Sequence, residues 1–455
     1  MNTINRIVRL MAIVFIPLCI AGMILTSCAK TEVPVFKLVR QTLAEGEVVD
    51  SLLSTAMFTY SQPIRLLQPE RITLEGATIS PWVKGSQLHI EIEGLRGESQ
   101  YTLCIGHGAI EDINGQQLPD LKMVFNTSGE REITIQLAVQ KATGTASLPA
   151  LKVYKFLREN YGIRTISATM ANVSFNTNEA QWVYKHTGHW PAMNCIDFIH
   201  MGEPYATYTD MSQMQEWWDN NGIVMACWHW RVPIAQGSEV KEFYAKDNNF
   251  NPANALIPGT WENDFIEADI ENLAVLLKQF KDAGIPVIWR PFHEAAGGWF
   301  WWGTGSGETF VQLWQWMFNK LVKVHKLNNL IWVWTTETND DTWYPGDDYV
   351  DIIGRDIYNQ ASTTTLASEF STIQRRFPHK IVTLSECGSV ATINNQWQAG
   401  ARWSWFMPWY DAGRTRSVVS NEFNSTNHQH ANITWWNAAF SNRYVLTRDD
   451  MPDWK

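Results

Sequence analysis

DFIEADIENLAVLLKQFKDAGIPVIWRPFHE, residues 264–294, carries a helix, a stop and a strand in immediate succession. Ile266, Ile270, Leu273, Leu276, Leu277 and Phe280 recur at helical spacing, which predicts an amphipathic helix from about Asp264 to Lys281. Asp264 and Glu267 suit its N-terminal turn, and Gly284 with Pro286 ends it. Val287-Ile288-Trp289 then reads as a short apolar strand. A helix feeding directly into such a strand is the repeat of a parallel sheet, because parallel strands need a crossover.

The same alternation extends in both directions. Strand candidates are Thr165–Ala168, Ile196–Ile199, Val224–Trp228, Val287–Trp289, Ile331–Trp334, Ile352–Gly354, Ile381–Leu384 and Trp403–Met407. A second helix is expected over about Glu308–His325, with Phe310, Leu313, Trp314, Met317 and Leu321 on its buried face. The eight strands fit an α/β fold of the (β/α)8 barrel type over residues 141–455. An open doubly wound sheet is the alternative, but no glycine-rich dinucleotide fingerprint follows the first strand.

Residues 28–132 have a different pattern. Leu88-His89-Ile90-Glu91-Ile92 alternates with period two, and Ile72–Leu74, Tyr101–Ile105 and Met123–Phe125 are further strand candidates separated by turns such as Asn114-Gly115. Short strands at regular spacing predict a small all-β sandwich, similar to the immunoglobulin-like modules that precede catalytic domains in exported bacterial enzymes. It reads as a spacer. Residues 1–27 read as an export signal: Arg6 and Arg9 precede a mostly apolar run from Leu10 to Leu25. Leu25-Thr26-Ser27-Cys28 resembles the cleavage box of a bacterial lipoprotein, which implies a lipid on Cys28 and attachment to a bacterial membrane, at the outer surface or the periplasmic face.

Composition narrows the partner. The net charge of −10 and the lack of a basic stripe argue against nucleic acid. The chain has 24 Trp, an excess that suggests aromatic platforms in a cleft, and sugars have C–H faces that stack on indoles. Carbohydrate is therefore the leading ligand class. Cys104, Cys195, Cys227 and Cys387 are scattered without metal-like spacing and read as buried thiols. No His, Asp or Glu cluster has ligand spacing either, so no metal and no nucleotide or redox cofactor is expected.

In a barrel, functional side chains sit where strands end. The fourth strand ends in Arg290-Pro291-Phe292-His293-Glu294, followed by Trp299-Phe300-Trp301-Trp302-Gly303. Aromatic surroundings would partly desolvate Glu294 and raise its pKa, as a general acid requires. The structural alternative is a salt bridge from Glu294 to Arg290. The seventh strand ends in Ser385-Glu386-Cys387-Gly388, with small neighbours that leave room for a ligand. Two such acids can converge over the barrel axis, as a retaining glycosidase needs.

These two motifs resemble the acid/base and nucleophile signatures of glycoside hydrolase family 26, whose best-known members are endo-β-1,4-mannanases. The resemblance covers roughly Lys141 to Lys455. It implies Glu294 as acid/base and Glu386 as nucleophile of a retaining, endo-acting enzyme that cleaves β-1,4-mannosidic bonds in mannan, galactomannan or glucomannan. It further implies sugar contacts at His293, Trp299 and Trp302, at His229 in Trp228-His229-Trp230, at Asp356 and Tyr358 in the sixth-strand motif, and at Trp409 after the eighth strand. Thr187-Gly188-His189-Trp190-Pro191-Ala192 is a further family-like stretch. Two positions depart from the family: Ala295-Ala296 stands where many relatives carry a polar Asn, and Tyr410 where mannanases often carry Arg. Both positions are expected to bear on sugar contacts. A β-1,3:1,4-glucanase of the same family and a non-catalytic glycan-binding lipoprotein are the competing readings. A polysaccharide is the expected partner of a monomeric chain.

Overall fold

The computed structural model describes residues 34–454, except residues 42, 50–54, 128–132, 173–174, 207 and 412–416. The proposed signal and Cys28 lie outside the described residues.

Eight parallel strands close into a barrel: β1 (Thr165–Met170), β2 (Met193–Asp197), β3 (Ile223–Trp228), β4 (Val287–Pro291), β5 (Leu330–Thr335), β6 (Ile352–Tyr358), β7 (Ile381–Gly388) and β8 (Trp405–Pro408). β8 pairs with β1 and β1 pairs with β2, so the sheet has no edge and is not an open doubly wound sheet. The strand candidates all fall within or beside these elements. Most strands run further toward the mouth than the apolar cores predicted, because polar residues there are tolerated inside the barrel. β3 ends at Trp228 as predicted, and β2 starts earlier and stops at Asp197.

The helix of the opening stretch is Trp261–Asp282, one turn longer at its start than expected. Thr260 caps it by accepting the Asn263 N–H at 3.2 Å, and Glu262 and Asp264 occupy the first turn. Glu267 instead faces sideways, accepting from Trp316 at 3.0 Å and pairing with Lys320. The second helix is α-helical over Gly307–Phe318 and widens to a π turn over Asn319–Val324. The Thr187–Ala192 stretch precedes β2 and lies away from the mouth. Gly188 ends the preceding helix in the left-handed conformation, and Trp190 stacks on Tyr184 at 4.5 Å.

The Trp excess has a different home from the one its composition suggested. Eleven indoles, among them Trp289, Trp332, Trp334 and Trp405, are fully buried in the barrel and its helical shell. Most of the excess is core. Only selected rings remain for a cleft.

Ahead of the barrel, two four-stranded sheets enclose a separate core that includes Phe58, Leu88, Ile90, Leu103 and Phe125. One sheet holds Leu38–Gln41, Thr55–Tyr60, Gln87–Glu93 and Thr78–Lys84; the other holds Val48–Val49, Leu121–Thr127, Gln100–Ile105 and Ile72–Leu74. Alternation decides which side chains point inward, as at Met123, Phe125 and Thr127. Barrel packing begins by Ile133, earlier than residue 141, since Ile133 and Leu137 belong to the barrel core. Among the described residues, no helix is long and apolar enough to cross a membrane.

One glycine links the scaffold to the mouth. A Cβ on Gly354 of β6 would lie 2.4 Å from Ser385 Oγ and 3.0 Å from Ser385 Cβ on β7. Gly354→Ala should therefore destabilise by about 1–3 kcal/mol through overpacking and lower the melting temperature. The loss should shrink when Ser385→Ala removes the nearest atom, which a double-mutant cycle of thermal melts would measure.

Candidate active site

The barrel mouth gathers its polar groups around Arg290 of β4, whose side chain is fully buried. Nη1 donates to Asp356 Oδ2 at 2.9 Å and to Thr335 Oγ1 at 3.2 Å, and Nη2 pairs with Glu386. The guanidinium thus joins acids from β6 and β7 rather than binding Glu294. Burial disfavours its charge, but the two carboxylates override that and hold it firmly protonated. Ser385 Oγ donates to the other oxygen of Asp356 at 2.6 Å, fixing that carboxylate.

Glu386 is buried at the end of β7. Besides Arg290, Tyr358 of β6 donates its hydroxyl to Glu386 Oε2 at 2.8 Å. Gly388 makes this approach possible, since a Cβ there would strike the Tyr358 ring and His430. Burial raises the Glu386 pKa and Arg290 opposes it. Asp356 raises it further, while His229 and the Tyr358 hydrogen bond lower it, leaving it at about 7.

Glu294 follows β4 with φ of 54°, and Phe292 has φ of 49°. Both are left-handed, and so are Asn359 and Ser389 just past β6 and β7. Non-glycine residues adopt this conformation at a cost, and four cluster where three strands leave the barrel. The loop after Glu294 folds back because glycines admit close contacts: the Trp299 ring lies over Gly297, and Gly303 meets the Ala295 carbonyl. Trp299, 42% exposed, then donates Nε1–H to Glu294 Oε2 at 2.9 Å. Burial, followed by the charges of Asp356, Glu386 and Glu337, pushes the Glu294 pKa up to about 9. Glu294, Asp356 and Glu386 each present a carboxylate oxygen within 4.8 Å of the others.

A second polar chain runs beneath. Asp197, at the end of β2, accepts from the His229 backbone at 3.0 Å and lies 2.6 Å from His229 Nδ1. Burial alone would lower the His229 pKa, but Asp197 pushes it up to about 10. The resulting imidazolium donates from Nε2 to His293 Nε2 at 3.0 Å, which leaves the His293 proton on Nδ1. Burial, then His229 and Arg290, keep His293 neutral by holding its pKa well below the usual range. Its Nδ1 is buried without a hydrogen-bond partner, and the ring is 1% exposed.

The sequence-derived residues therefore separate. Glu294, Trp299, Tyr358 and Trp409 reach the open mouth; the Trp409 ring sits 5.6 Å from His229. Asp356 and His229 act from beneath, almost buried. Trp302 does not face a ligand: it is fully buried, stacks 4.5 Å from Phe300 and donates Nε1–H to the His293 carbonyl at 2.9 Å. Ala295 is likewise buried, so its departure from the family bears on loop packing and not on sugar. Sequence reasoning missed Asp197 and Glu337. Asp197 ends an apolar run in the same way as Glu386, which was a usable signal. Glu337 follows β5, pairs with Arg355 at 2.6 Å and is raised to about 7 by burial.

Among the described residues, two acid-containing groups have donor atoms close enough for a cation: Asp197, Cys227 and His229; and Glu294, Asp356 and Glu386. In each, a protein cation already supplies the positive charge, His229 in the first and Arg290 in the second.

The profile of glycosyl hydrolase family 26 matches residues 142–450. This chain belongs to glycosyl hydrolase family 26. It is a glycoside hydrolase. A mannan endo-1,4-beta-mannosidase of Thermothelomyces thermophilus is 31% identical over 78% of this chain and 72% of its own length. Mannan endo-1,4-beta-mannosidase B of Piromyces sp. is 31% identical over 71% of this chain, which spans only 55% of that protein. The GH26 domain of an endo-beta-mannanase/endo-beta-glucanase from Prevotella bryantii superposes with a TM-score of 0.62 at 36% identity, over 70% of this chain and 99% of that one.

Tyr358 favours the charged form of Glu386, so its loss raises the Glu386 pKa. In Tyr358→Phe, activity requiring ionised Glu386 should move to higher pH, narrowing the pH profile of kcat/KM from its acidic side. An unmoved acidic limb would contradict the role of this hydrogen bond.

Proposed function

We propose that this glycoside hydrolase is an endo-acting mannan β-1,4-mannosidase that retains anomeric configuration. The observation that carries the reading is a pair of neighbouring carboxyl groups of which Glu386, at about 7, ionises before Glu294, at about 9. Carboxyl groups roughly 5–5.5 Å apart suit double displacement, whereas inversion needs a gap that admits water. The relatives' names support mannan as substrate.

Glu386, with Arg290 and Tyr358 sharing its charge, attacks the anomeric carbon and forms a glycosyl-enzyme. Glu294, protonated at neutral pH, gives its proton to the departing glycosidic oxygen. Once the leaving sugar has gone, ionised Glu294 takes a proton from water as it attacks, and Glu386 is released. As the covalent bond forms, Glu386 loses its negative charge, so its repulsion of an ionised Glu294 falls and the Glu294 pKa drops toward its second role. Trp299 orients Glu294 through both states, and Trp409 offers an apolar face to the sugar. Mixed-linkage β-glucan is the second candidate substrate, favoured by Tyr410 in the place where mannanases often carry Arg.

Glu294→Gln should lower turnover of mannan by about 10²–10⁴-fold, and Glu386→Gln should abolish it. Proton NMR of early products should show the β-anomer first. Initial α-anomer would refute retention, and reducing-sugar release from mixed-linkage glucan but not from mannan would refute the substrate.

The N-terminal segment supports export. Arg6, Arg9, the apolar run and Leu25–Cys28 fit a signal with a lipidated Cys28, which would hold a monomeric enzyme at a bacterial membrane, with the all-β unit as an immunoglobulin-like spacer. Cys28→Ala should move the protein from the detergent phase to the aqueous phase in a detergent-partition assay; unchanged partition would exclude the anchor.

A further inference from the structure

A cavity of 470 Å³ lies where the N-terminal all-β unit meets the barrel. It is at the opposite end from the mouth: Tyr444 on its wall accepts the N–H of Thr165, the first residue of β1, at 2.8 Å, and Trp397 and Arg402 precede β8. The facing wall comes from Trp82 and His89, on the neighbouring strands Thr78–Lys84 and Gln87–Glu93.

Both walls are held in place. Trp82 and His89 stack at 4.0 Å, and Trp397 and Tyr444 stack at 5.1 Å. Arg443 spans the seam, 5.1 Å from the Trp82 ring and 5.6 Å from the Tyr444 ring, and pairs with Glu91 of the all-β unit. The cavity falls within the roughly 300–1,000 Å³ range of small-molecule sites.

Four polar atoms of its lining residues are unmatched. Trp82 Nε1, His89 Nε2, Asn394 Oδ1 and Trp397 Nε1 are all buried without a hydrogen-bond partner, and all four residues line this cavity. An orphaned buried polar atom costs about 1–3 kcal/mol, and here four gather beside one cavity. Two are indole N–H donors and one is an amide acceptor. Burial, with Arg443 and Lys84 nearby, lowers the His89 pKa to about 4, so its ring is neutral and carries one donor and one acceptor nitrogen. None of these atoms opens onto the cavity as it stands, so a ligand reaches them only as the wall side chains turn; an apolar ligand would then satisfy none, and a carboxylate only the donors. Hydroxyl groups donate and accept at once.

We propose that this junction is a second glycan site, which binds a short neutral oligosaccharide at the end of the barrel remote from the mouth. The site retains ligand without cleaving it, because no pair of acids faces the cavity among its lining residues.

The test is calorimetric titration of the full chain carrying Glu386→Gln, with β-1,4-mannotriose, cellotriose and trigalacturonate as probes. Two binding events per chain are expected with at least one neutral trisaccharide. The event absent from the mouth should weaken at least tenfold in Trp82→Ala and in Ala399→Trp, while the other event stays unchanged. Ala399 is exposed at the cavity, and a bulky side chain there blocks it while keeping every polar atom, so this variant decides the matter if Trp82→Ala fails to fold. A single event with both neutral sugars, a second event indifferent to Ala399→Trp, or preferential binding of trigalacturonate there would overturn the proposal. With Glu386 intact, Ala399→Trp should hydrolyse short substrates within twofold of the parent. Failure of the parent to cleave mannan would refute the substrate reading and leave this site standing.

Discussion

The guanidinium of Arg290 imposes its needs on everything around it. A charge taken wholly out of water must be paired and hydrogen-bonded, and a buried ion left alone costs several kcal/mol. Asp356 and Glu386 meet that need from β6 and β7, and Thr335 contributes from β5. Four consecutive strands therefore converge on one side chain. Ser385 completes the network through Asp356, and its neighbour across the sheet has to be glycine. The catalytic geometry proposed above is in large part what a buried arginine requires of its surroundings.

The same charge sorts the two glutamates. Both are shielded from water, so burial raises both. Glu386 receives direct hydrogen bonds from Arg290 and Tyr358; Glu294 receives one from a neutral indole and is repelled by three nearby acids. Both environments disfavour the anion, but that of Glu386 does so less, which is how two identical side chains acquire different tasks. The Asp197–His229–His293 chain adds a second fixed charge below the first, and it determines the tautomer of the His293 ring that borders the site.

Aromatic residues show how composition can mislead. Trp is costly to bury because its N–H wants a partner, and the excess therefore pointed to a cleft. Many of the buried indoles solve the problem locally: Trp301 donates to the Trp230 carbonyl, Trp314 to that of Tyr349, and Trp403 to Gln396. Trp289, Trp332 and Trp405 remain without partners inside the barrel. The large core of a barrel absorbs such rings, and the mouth uses few.

Much was legible from the chain alone. The period of 3.6 followed by short apolar runs identified helices and two-face-buried strands, because those periodicities are consequences of local backbone geometry. Acids placed where apolar runs end marked Glu294 and Glu386, since a charged side chain there has to leave the core by the strand's open end. The rest depended on contacts between distant segments. That Arg290 binds Glu386 and Asp356 instead of Glu294, and that the seam at Trp82 and Trp397 encloses a cavity, are facts about residues tens to hundreds of positions apart. Local periodicity carries no information on which side chains meet across a closed barrel; only the closure itself brings them together.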